Sequence, residues 1–403
     1  MPRRPAQHDP APWKQWGEDL EPSAVQQMRD ACALPVSVRA ALMPDAHPGY
    51  GLPIGGVLAT DNAVIPYAVG VDIACRVRLS VLDIPPAALD APRERRRLVS
   101  AIHTETRFGI GAAFSTPRDH AVMDHDWSVS PVTSRLKEAK ARPQLGTSGS
   151  GNHFVEFGAL TLEADDLGLR AGTYLALLTH SGSRGVGAAV CDHYSKLAMS
   201  LRPELEGPAQ RLAWLDLDTD AGREYWAAME LMGAYASANH EIIHREILRD
   251  LGASALTHVE NHHNYAWKER VRTPTGEERE LIVHRKGATP AHKGAIGFIP
   301  GSMAAPGFVV RGRGSSDALD SAAHGAGRVM SRAEAKRRFK WPQINAYLRE
   351  RNVELMSAGV DEAPFVYKDI EQVMASQRDL VDVLARFDPR IVKMAPAGER
   401  PED

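Results

Sequence analysis

Four of the sixteen histidines in the chain stand beside Gly, Asn or Ser on segments that are typical of loops. They are His153, His180, His263 and His324. Asp72 and Cys75 add a carboxylate and a thiol, three residues apart, on another glycine-rich turn. Imidazole, thiolate and carboxylate together suit zinc, manganese or iron. No pair has zinc-finger spacing, so a transition-metal site is one interpretation and an ordinary buried Cys75 is the other.

The segment 324–328 presents one histidine on a glycine-flanked loop directly before a helix start. Ser331 and Glu334 have the spacing of a capping box, in which a hydroxyl caps the helix and a glutamate follows three residues later. The small residues around His324 allow a bulky anionic ligand to approach the backbone closely. On this pattern alone a structural histidine is the more common case, and a histidine that faces a ligand is the alternative.

Phosphate-binding features recur elsewhere in the chain. The loops 146–151 and 181–187 offer backbone N–H groups and hydroxyls that suit oxyanions. Arg184, Arg285 and Lys286 lie near such loops in sequence, and we expect them to contact phosphate oxygens of RNA. The pattern G-x-x-x-x-G-K-[ST] does not occur, which excludes an ordinary P-loop.

One motif indicates a different chemistry. His240, Glu241 and His244 match H-E-x-x-H, which on a helix places two zinc-binding histidines on one face, as in zinc peptidases. The match lies inside a long polar-faced helix, and short matches of this kind arise often by chance. A zinc peptidase is therefore a remote alternative.

The bulk properties indicate a globular protein. The 403 residues are 43% hydrophobic and 25% charged with a net charge of −3, so nucleic-acid contact requires a local basic patch. Three scattered cysteines form no disulfide framework, and no apolar run has the length of a membrane span. We expect no membrane association and a cytoplasmic location.

Hydrophobic periodicity and turn residues predict a mixture of helices and strands. The predicted helices are 22–33, 86–107 and 220–251, and the predicted strands include 76–82 and 174–178. Because the unusual loops run from end to end, one composite site in a single large α+β domain over 1–403 is favoured over two modules. We treat 1–42 as an N-terminal extension and 396–403 as a frayed tail.

Nine segments, in order, resemble the RtcB-type RNA ligases, the tRNA-splicing 3′-phosphate ligases. The resemblance covers the chain from about residue 43 to Lys393. The segments are Met43-Pro-Asp-Ala-His-Pro-Gly-Tyr-Gly, Val69-Gly-Val-Asp-Ile-Ala-Cys75, Gly149-Ser-Gly-Asn-His-Phe154, His180-Ser-Gly-Ser-Arg-Gly185, His262-His-Asn-Tyr265, His284-Arg-Lys-Gly-Ala-Thr289, Pro300-Gly-Ser-Met303, His324-Gly-Ala-Gly-Arg328 and Asp361-Glu-Ala-Pro364.

The resemblance implies an α+β fold of packed β-sheets flanked by helices, and it implies the roles of the site residues. His324 is the expected nucleophile, guanylylated by GTP. A site for two Mn²⁺ ions is expected from Asp72, Cys75, His153, His180 and His263, with the thiolate shared between the ions. The implied nucleotide-binding residues are Asn152, His153, Phe154, Val155, Glu156, Asn264, Pro300, Gly301, Ser302, Met303, Gly307, Gly325, Ala326, Gly327 and Lys393.

The implied reaction joins an RNA 3′-phosphate or 2′,3′-cyclic phosphate end to a 5′-hydroxyl end, in tRNA splicing or RNA repair. The intermediate is an RNA end capped as 3′-ppG, and an archease-like activator is a candidate partner. An enzyme that caps the phosphate end without sealing is the nearer alternative, and an RNA-binding protein without turnover is another. Ala74, Arg76 and Gly307 depart from the family pattern and favour a divergent paralogue, for which RNA repair is one role.

Overall fold

The computed structural model describes residues 9–398 of the chain. In this range the strands, in chain order, are β1 (Trp13–Gln15), β2 (Ser37–His47), β3 (Ile54–Thr60), β4 (Ala63–Val64), β5 (Arg76–Leu82), β6 (Phe154–Leu162), β7 (Gly172–Ser181), β8 (Leu215–Asp216), β9 (Ala255–His262), β10 (Asn264–Arg272), β11 (Glu278–Lys286), β12 (Ala288–Pro290), β13 (Ile296–Ile299), β14 (Gly307–Gly312), β15 (Ser321–Ala323), β16 (Glu354–Ser357) and β17 (Val381–Met394). The α-helices are α1 (Pro22–Cys32), α2 (Pro66–Val69), α3 (Pro92–Glu105), α4 (Pro131–Leu136), α5 (Arg142–Gln144), α6 (Arg184–Leu201), α7 (Asp220–Leu251), α8 (Arg332–Arg338), α9 (Trp341–Glu350) and α10 (Ile370–Ala375).

Five strands form one sheet in the order β1-β2-β3-β11-β10. All neighbours are antiparallel except β1, which runs parallel to β2. On β3, Val57 and Ala59 belong to the core shared with the second sheet, whereas Leu58 packs with residues of α1. Both faces of this strand are therefore covered, which explains its uninterrupted apolar sequence.

Eight strands form the second sheet, in which β13-β14-β17-β6-β7-β5-β9 are consecutive neighbours and β16 pairs with β17. The sheet curls until its two edge strands meet. The side chain of Asn261 on β9 accepts from the Phe298 N–H of β13 at 2.7 Å and donates to the Phe298 carbonyl at 3.2 Å. Inside the curl, Val77, Leu79 and Leu178 pack among other buried apolar side chains.

Helices cover the outer surface of the curled sheet. The hydroxyl of Thr219 caps α7 by accepting from the N–H of Gly222 at 3.2 Å, and Gly252 ends the helix in the left-handed region. The packed sheets with flanking helices confirm the predicted α+β fold, and the helix predicted over 220–251 is confirmed. Among residues 9–398, no helix is both long and apolar enough to cross a membrane.

The described residues of the predicted N-terminal extension are part of the first sheet. β1 extends its edge, and Trp16 is buried with its indole N–H donating to the Asp379 carboxylate at 3.0 Å. Of the predicted tail, 396–398 are exposed, and 399–403 lie outside the described residues. Residues 9–42 thus supply β1, α1 and the first part of β2, so the boundary predicted after residue 42 falls inside a strand.

Arg285, predicted to contact RNA phosphate, has its partners inside the fold. Its side chain is completely buried on β11 and pairs with both carboxylate oxygens of Glu269, at 2.7 and 2.9 Å. It also donates to the Ser321 hydroxyl and the Leu319 carbonyl. Burial alone would raise the pKa of Glu269, but hydrogen bonds from His292 and Arg285 lower it to about 2. Arg285 therefore binds β10 and β15 together and does not reach a solvent-exposed ligand.

We expect Arg285→Ala to lower the free energy of unfolding by about 3–5 kcal/mol, because it removes a fully buried guanidinium and leaves the largely buried Glu269 carboxylate with His292 but without its bidentate partner. Urea unfolding followed by tryptophan fluorescence measures this loss. Arg279→Ala, which breaks the exposed pair with Asp61 on the same strand, is the matched control and should leave the midpoint unchanged. Equal effects of the two substitutions would contradict the structural role of Arg285.

Candidate metal and nucleotide site

The five predicted metal donors meet at one end of the curled sheet. Cys75 directly precedes β5, His153 directly precedes β6, His180 lies on β7 and His263 directly follows β9. These four strands are neighbours in the order β6-β7-β5-β9, and the antiparallel pairing brings these ends of the strands together. Asp72 follows α2, on the turn that leads to Cys75.

The donor atoms form two groups that share one thiol. Cys75 Sγ lies 3.1 Å from His180 Nε2 and 3.6 Å from His153 Nε2. His180 Nε2 is 3.2 Å from His263 Nε2, and His153 Nε2 is 3.1 Å from Asp72 Oδ2. Cys75 with His180 and His263 forms one group, and Cys75 with Asp72 and His153 forms the other. Within each group the atoms lie within 4.8 Å of one another, as ligands of one ion must.

The protonation of the donors fits a cation. Burial lowers the pKa of His180 to about 3 and the pKa of His263 well below its ordinary value, so both imidazoles are neutral. Burial alone would raise the pKa of Asp72, but the hydrogen bond from His153 and the charge of Arg184 contribute to lowering it. His180 Nδ1 lies 3.2 Å from the Asn152 carbonyl, which directs the Nε2 lone pair toward Cys75.

Backbone strain accumulates around these donors. Ala74, between Asp72 and Cys75, has φ +58° and donates its N–H to the Asn264 carbonyl at 2.7 Å. Left-handed backbone is unfavourable for alanine, so Ala74 is held in a strained conformation. Residues held in strained backbone conformations cluster at functional sites.

Arg76 is directed at groups other than the metal donors. Its guanidinium pairs with Glu260 and donates to the Gly233 carbonyl at 3.0 Å, and it lies 2.9 Å from His262 Nδ1. The positive charge of Arg76 is thus balanced by the Glu260 carboxylate on β9. Arg76 links β5 to α7 behind the site.

His324 lies beside the donor cluster, with its ring centroid 4.8 Å from that of His263. It directly follows β15, and its ring is fixed from the first sheet by Asp45, a fully buried residue of β2. Asp45 Oδ2 accepts from His324 Nδ1 at 2.7 Å and from the His324 backbone N–H at 3.2 Å. This pairing places the proton on Nδ1 and leaves a lone pair on Nε2.

A cavity of about 870 Å³ opens beside His324. Eleven of the predicted nucleotide-binding residues line it. They are Asn152, Phe154, Glu156, Pro300, Gly301, Ser302, Met303, Gly307, Gly325, Ala326 and Gly327. A Cβ on Gly307 would lie 2.4 Å from the ring of Phe298, so the wall bears no side chain at that position.

Four predicted nucleotide contacts lie off this cavity. Val155 and Lys393 face each other across β6 and β17, and their side chains point to the opposite surface because strand residues alternate. Lys393 Nζ donates to Thr106 Oγ1 at 3.0 Å. His153 is buried in the donor cluster, and Asn264 lines an adjacent groove.

The cavity also includes residues to which the sequence assigned no role. His47 lines it, and burial lowers its pKa to about 4. Arg328 and Glu362 lie 3.4 Å apart on its rim. Asp45, His47 and Glu362 all lie in segments that resemble the family. The resemblance therefore marked these segments, but it did not indicate what each of the three residues does.

The remaining two predicted RNA contacts are also buried. Arg184 lies 3.4 Å from His153 Nδ1, and the backbone of Gly149 packs so closely against its guanidinium that a Cβ there would be 2.1 Å away. Lys286 donates to the Tyr50 and Tyr67 carbonyls. Both cations border the site but already have partners within the protein.

The H-E-x-x-H motif is part of the core. Thr179 Oγ1 lies 2.6 Å from His240 Nδ1 and 2.9 Å from His244 Nε2, while Ser80 Oγ lies 2.8 Å from His244 Nδ1. His240 Nε2 is 3.1 Å from the Ser181 carbonyl, so all four ring nitrogens have partners. Glu241 points to the exposed side of α7, away from both histidines. This geometry contradicts a zinc peptidase site.

Comparisons with known proteins agree with the geometry. The family model described as tRNA-splicing ligase RtcB matches residues 27–129 and 119–394. The chain belongs to the RtcB family. It is 34% identical to the RNA-splicing ligase RtcB of Escherichia coli strain K12, over 93% of this chain and 95% of that protein. It is 33% identical to the RNA-splicing ligase RtcB of Mycobacterium tuberculosis strain H37Rv, with 90% and 98% covered.

An archaeal relative extends the comparison. The tRNA-splicing ligase RtcB of Archaeoglobus fulgidus is 30% identical to this chain, and the match covers 94% of this chain and 91% of that protein. The RtcB family match thus includes the donor loops, the His324 loop and most of the first sheet.

Because Cys75 is common to both donor groups, we expect Cys75→Ala to abolish divalent metal binding at both, whereas His263→Ala weakens only one. Co²⁺ is a suitable probe, since thiolate ligation produces a charge-transfer band, and elemental analysis counts the bound ions. Cys191→Ala, at a buried free cysteine in another core cluster, is the matched control and should keep the band. A band that survives Cys75→Ala, or that the control loses, would contradict the shared-thiol site.

Proposed function

We propose that this protein is a GTP- and Mn²⁺-dependent RNA ligase. It joins RNA 3′-phosphate or 2′,3′-cyclic phosphate ends to 5′-hydroxyl ends through a guanylylated His324. The single observation that carries this proposal is the placement of His324, which Asp45 holds between a buried donor cluster and a cavity lined by predicted nucleotide-binding residues. Family membership and the RNA-splicing ligase names of the relatives support the same activity.

His324 has the features of a nucleophile toward phosphorus. With the proton on Nδ1 held by Asp45, the Nε2 lone pair attacks the α-phosphorus of GTP. An N–P bond forms and the bond from that phosphorus to the bridging oxygen breaks, so pyrophosphate leaves with the electron pair. The carboxylate of Asp45 stabilises the positive charge that develops on the ring.

The residues of the donor cluster would hold the metal ions. Cys75, His180 and His263 form one set of ligands, and Cys75, Asp72 and His153 form the other. Two Mn²⁺ ions bound there would neutralise the triphosphate and orient it for in-line attack. Neutral imidazoles, one ionised carboxylate and the thiol match the N, O and S ligands that transition metals accept.

Guanine recognition is assigned to the part of the cavity around Glu156. Guanine carries adjacent N–H donors, and the buried carboxyl of Glu156 on the cavity wall supplies two acceptor oxygens. Burial raises the pKa of Glu156 well above its ordinary value, and donation from the base would favour the ionised form. Adenine lacks this donor pair, so the same carboxyl selects against ATP.

Two further transfers complete the proposed reaction. Water first opens a cyclic phosphate to a 3′-phosphate. An oxygen of that phosphate attacks the phosphorus on His324, the N–P bond breaks, and the RNA end becomes 3′-ppG. The 5′-hydroxyl of the second strand then attacks the RNA phosphate, loses its proton and displaces GMP, which seals the strands.

Two alternative functions would give different results with GTP and RNA. An enzyme that only caps phosphate ends would accumulate RNA-3′-ppG in the presence of a 5′-hydroxyl partner, whereas a ligase consumes it. An RNA-binding protein without turnover would transfer no label from GTP. We include in this proposal a biological role in tRNA splicing or RNA repair, which joining assays with tRNA halves and with other broken RNAs would distinguish. The same assays with and without an archease-like activator test whether the enzyme uses one.

Incubation with α-³²P-labelled GTP and Mn²⁺, followed by denaturing electrophoresis, tests the proposal. We expect acid-labile label on the wild-type protein and none on His324→Ala. Asp45→Ala should slow labelling by about 10–100-fold, because the ring loses the partner that orients it. Asp317→Ala, at an exposed carboxylate of the same charge, is the matched control for Asp45.

Glu241→Gln separates the ligase from the peptidase alternative, since that exposed carboxylate would be the general base of a zinc peptidase. We expect this variant to label as the wild type does. Label that persists on His324→Ala, or that is absent from the wild type even with an archease-like activator, would reject nucleotidyl transfer through His324.

A further inference from the structure

A second groove adjoins the nucleotide cavity. Its volume is about 1560 Å³, and it shares His47, Ile54 and Arg328 with the cavity as common lining. Asp72 of the donor cluster lies on its wall, so a chain in the groove reaches the metal donors. An RNA strand whose end reacts at His324 needs such a path.

An aromatic pair stands at the side of this groove. Tyr50 lines it with 49% of its surface exposed. The Arg211 guanidinium carbon lies 4.8 Å from the centre of the Tyr50 ring, and the Tyr67 ring centroid is 6.3 Å from that of Tyr50. Tyr67 and Arg211 also line a neighbouring depression of about 810 Å³. The pair therefore separates two openings, of which one leads to the reaction site.

The backbone around Tyr50 is fixed from three directions. The Gln27 side chain of α1 donates to the Gly49 carbonyl at 2.6 Å and accepts from its N–H at 3.0 Å. The buried Lys286 donates to the carbonyls of Tyr50 and Tyr67. Gly51 has φ +72°, and a Cβ there would lie 2.6 Å from the Arg211 carbonyl oxygen.

These contacts hold the loop, and about half of the Tyr50 surface stays open to a ligand although Arg211 lies over the ring. Among residues 9–398, no hydrogen bond of the Tyr50 hydroxyl is found, and the ring is half exposed on an immobilised backbone. A tyrosine that serves packing alone is ordinarily buried with its hydroxyl bonded. A rigid, exposed aromatic face beside a cation is the arrangement on which nucleobases stack.

We propose that Tyr50, supported by Arg211 and Tyr67, is a stacking platform for a nucleobase of the RNA strand whose end reacts at His324. This inference rests on the proposed ligase function and names one contact that positions its substrate. Every base has a π face, so the platform binds purines and pyrimidines alike. Arg211, exposed beside the ring, adds a cation for the RNA backbone.

The test uses single-stranded RNAs that carry 2-aminopurine at the first, second or third position from a 3′-phosphate or a 5′-hydroxyl end. Stacking quenches the fluorescence of 2-aminopurine, and titration of the RNA with protein gives the binding affinity. We expect quenching at one or more positions with the full-length wild-type protein and with Tyr50→Phe. Tyr50→Ala and Tyr50→Leu should lose this quenching and bind about tenfold more weakly, because leucine fills the space without a π face.

Tyr347→Ala is the matched control, since Tyr347 also carries an arginine over its ring, Arg351 at 3.4 Å, but lines neither groove nor cavity. It should quench and bind as the wild type does. Wild-type quenching and affinity in both Tyr50→Ala and Tyr50→Leu would overturn the platform. Failure of the wild type to bind any of these RNAs would also overturn it, while labelling of His324 by GTP reports separately on the proposed function.

Discussion

The close burial of five metal-binding side chains is the constraint on which the site depends. Imidazole nitrogens 3.2 Å apart and a thiol 3.1 Å from one of them leave space for no more than one proton in each gap. Holding polar donor atoms this close together in the interior costs free energy unless a cation binds among them. Divalent ions bound at the proposed site would convert this cost into a stabilising interaction and so stabilise this end of the sheet.

The two sheets supply different residues of the site. The curled sheet supplies the donors from the ends of neighbouring strands, and the first sheet supplies Asp45, which fixes His324 against them. Apolar residues of both sheets, including Val57 and Phe308, form one core. The separation of His324 from the donor cluster is therefore set by the packing of the two sheets.

The sequence was most informative where a local pattern decides the structure. The helix over 220–251 and the strand over 76–82 follow from periodicity and capping, and both are confirmed. Asp45 was not assigned a role because its partner His324 lies 279 residues away and only sheet packing joins them. The sequence also did not show which way Arg285 and Lys393 point, because strand register decides which side chains face a cavity, and one sequence does not give the register.

The most direct test of this account is to locate manganese in crystals of the wild-type protein soaked with Mn²⁺ by anomalous X-ray scattering. We predict two peaks, one among Cys75, His180 and His263 and the other among Cys75, Asp72 and His153. Both should lie within bonding distance of the shared sulfur and on the side of the cluster that faces His324. A single peak away from Cys75, or no peak at saturating Mn²⁺, would contradict the account.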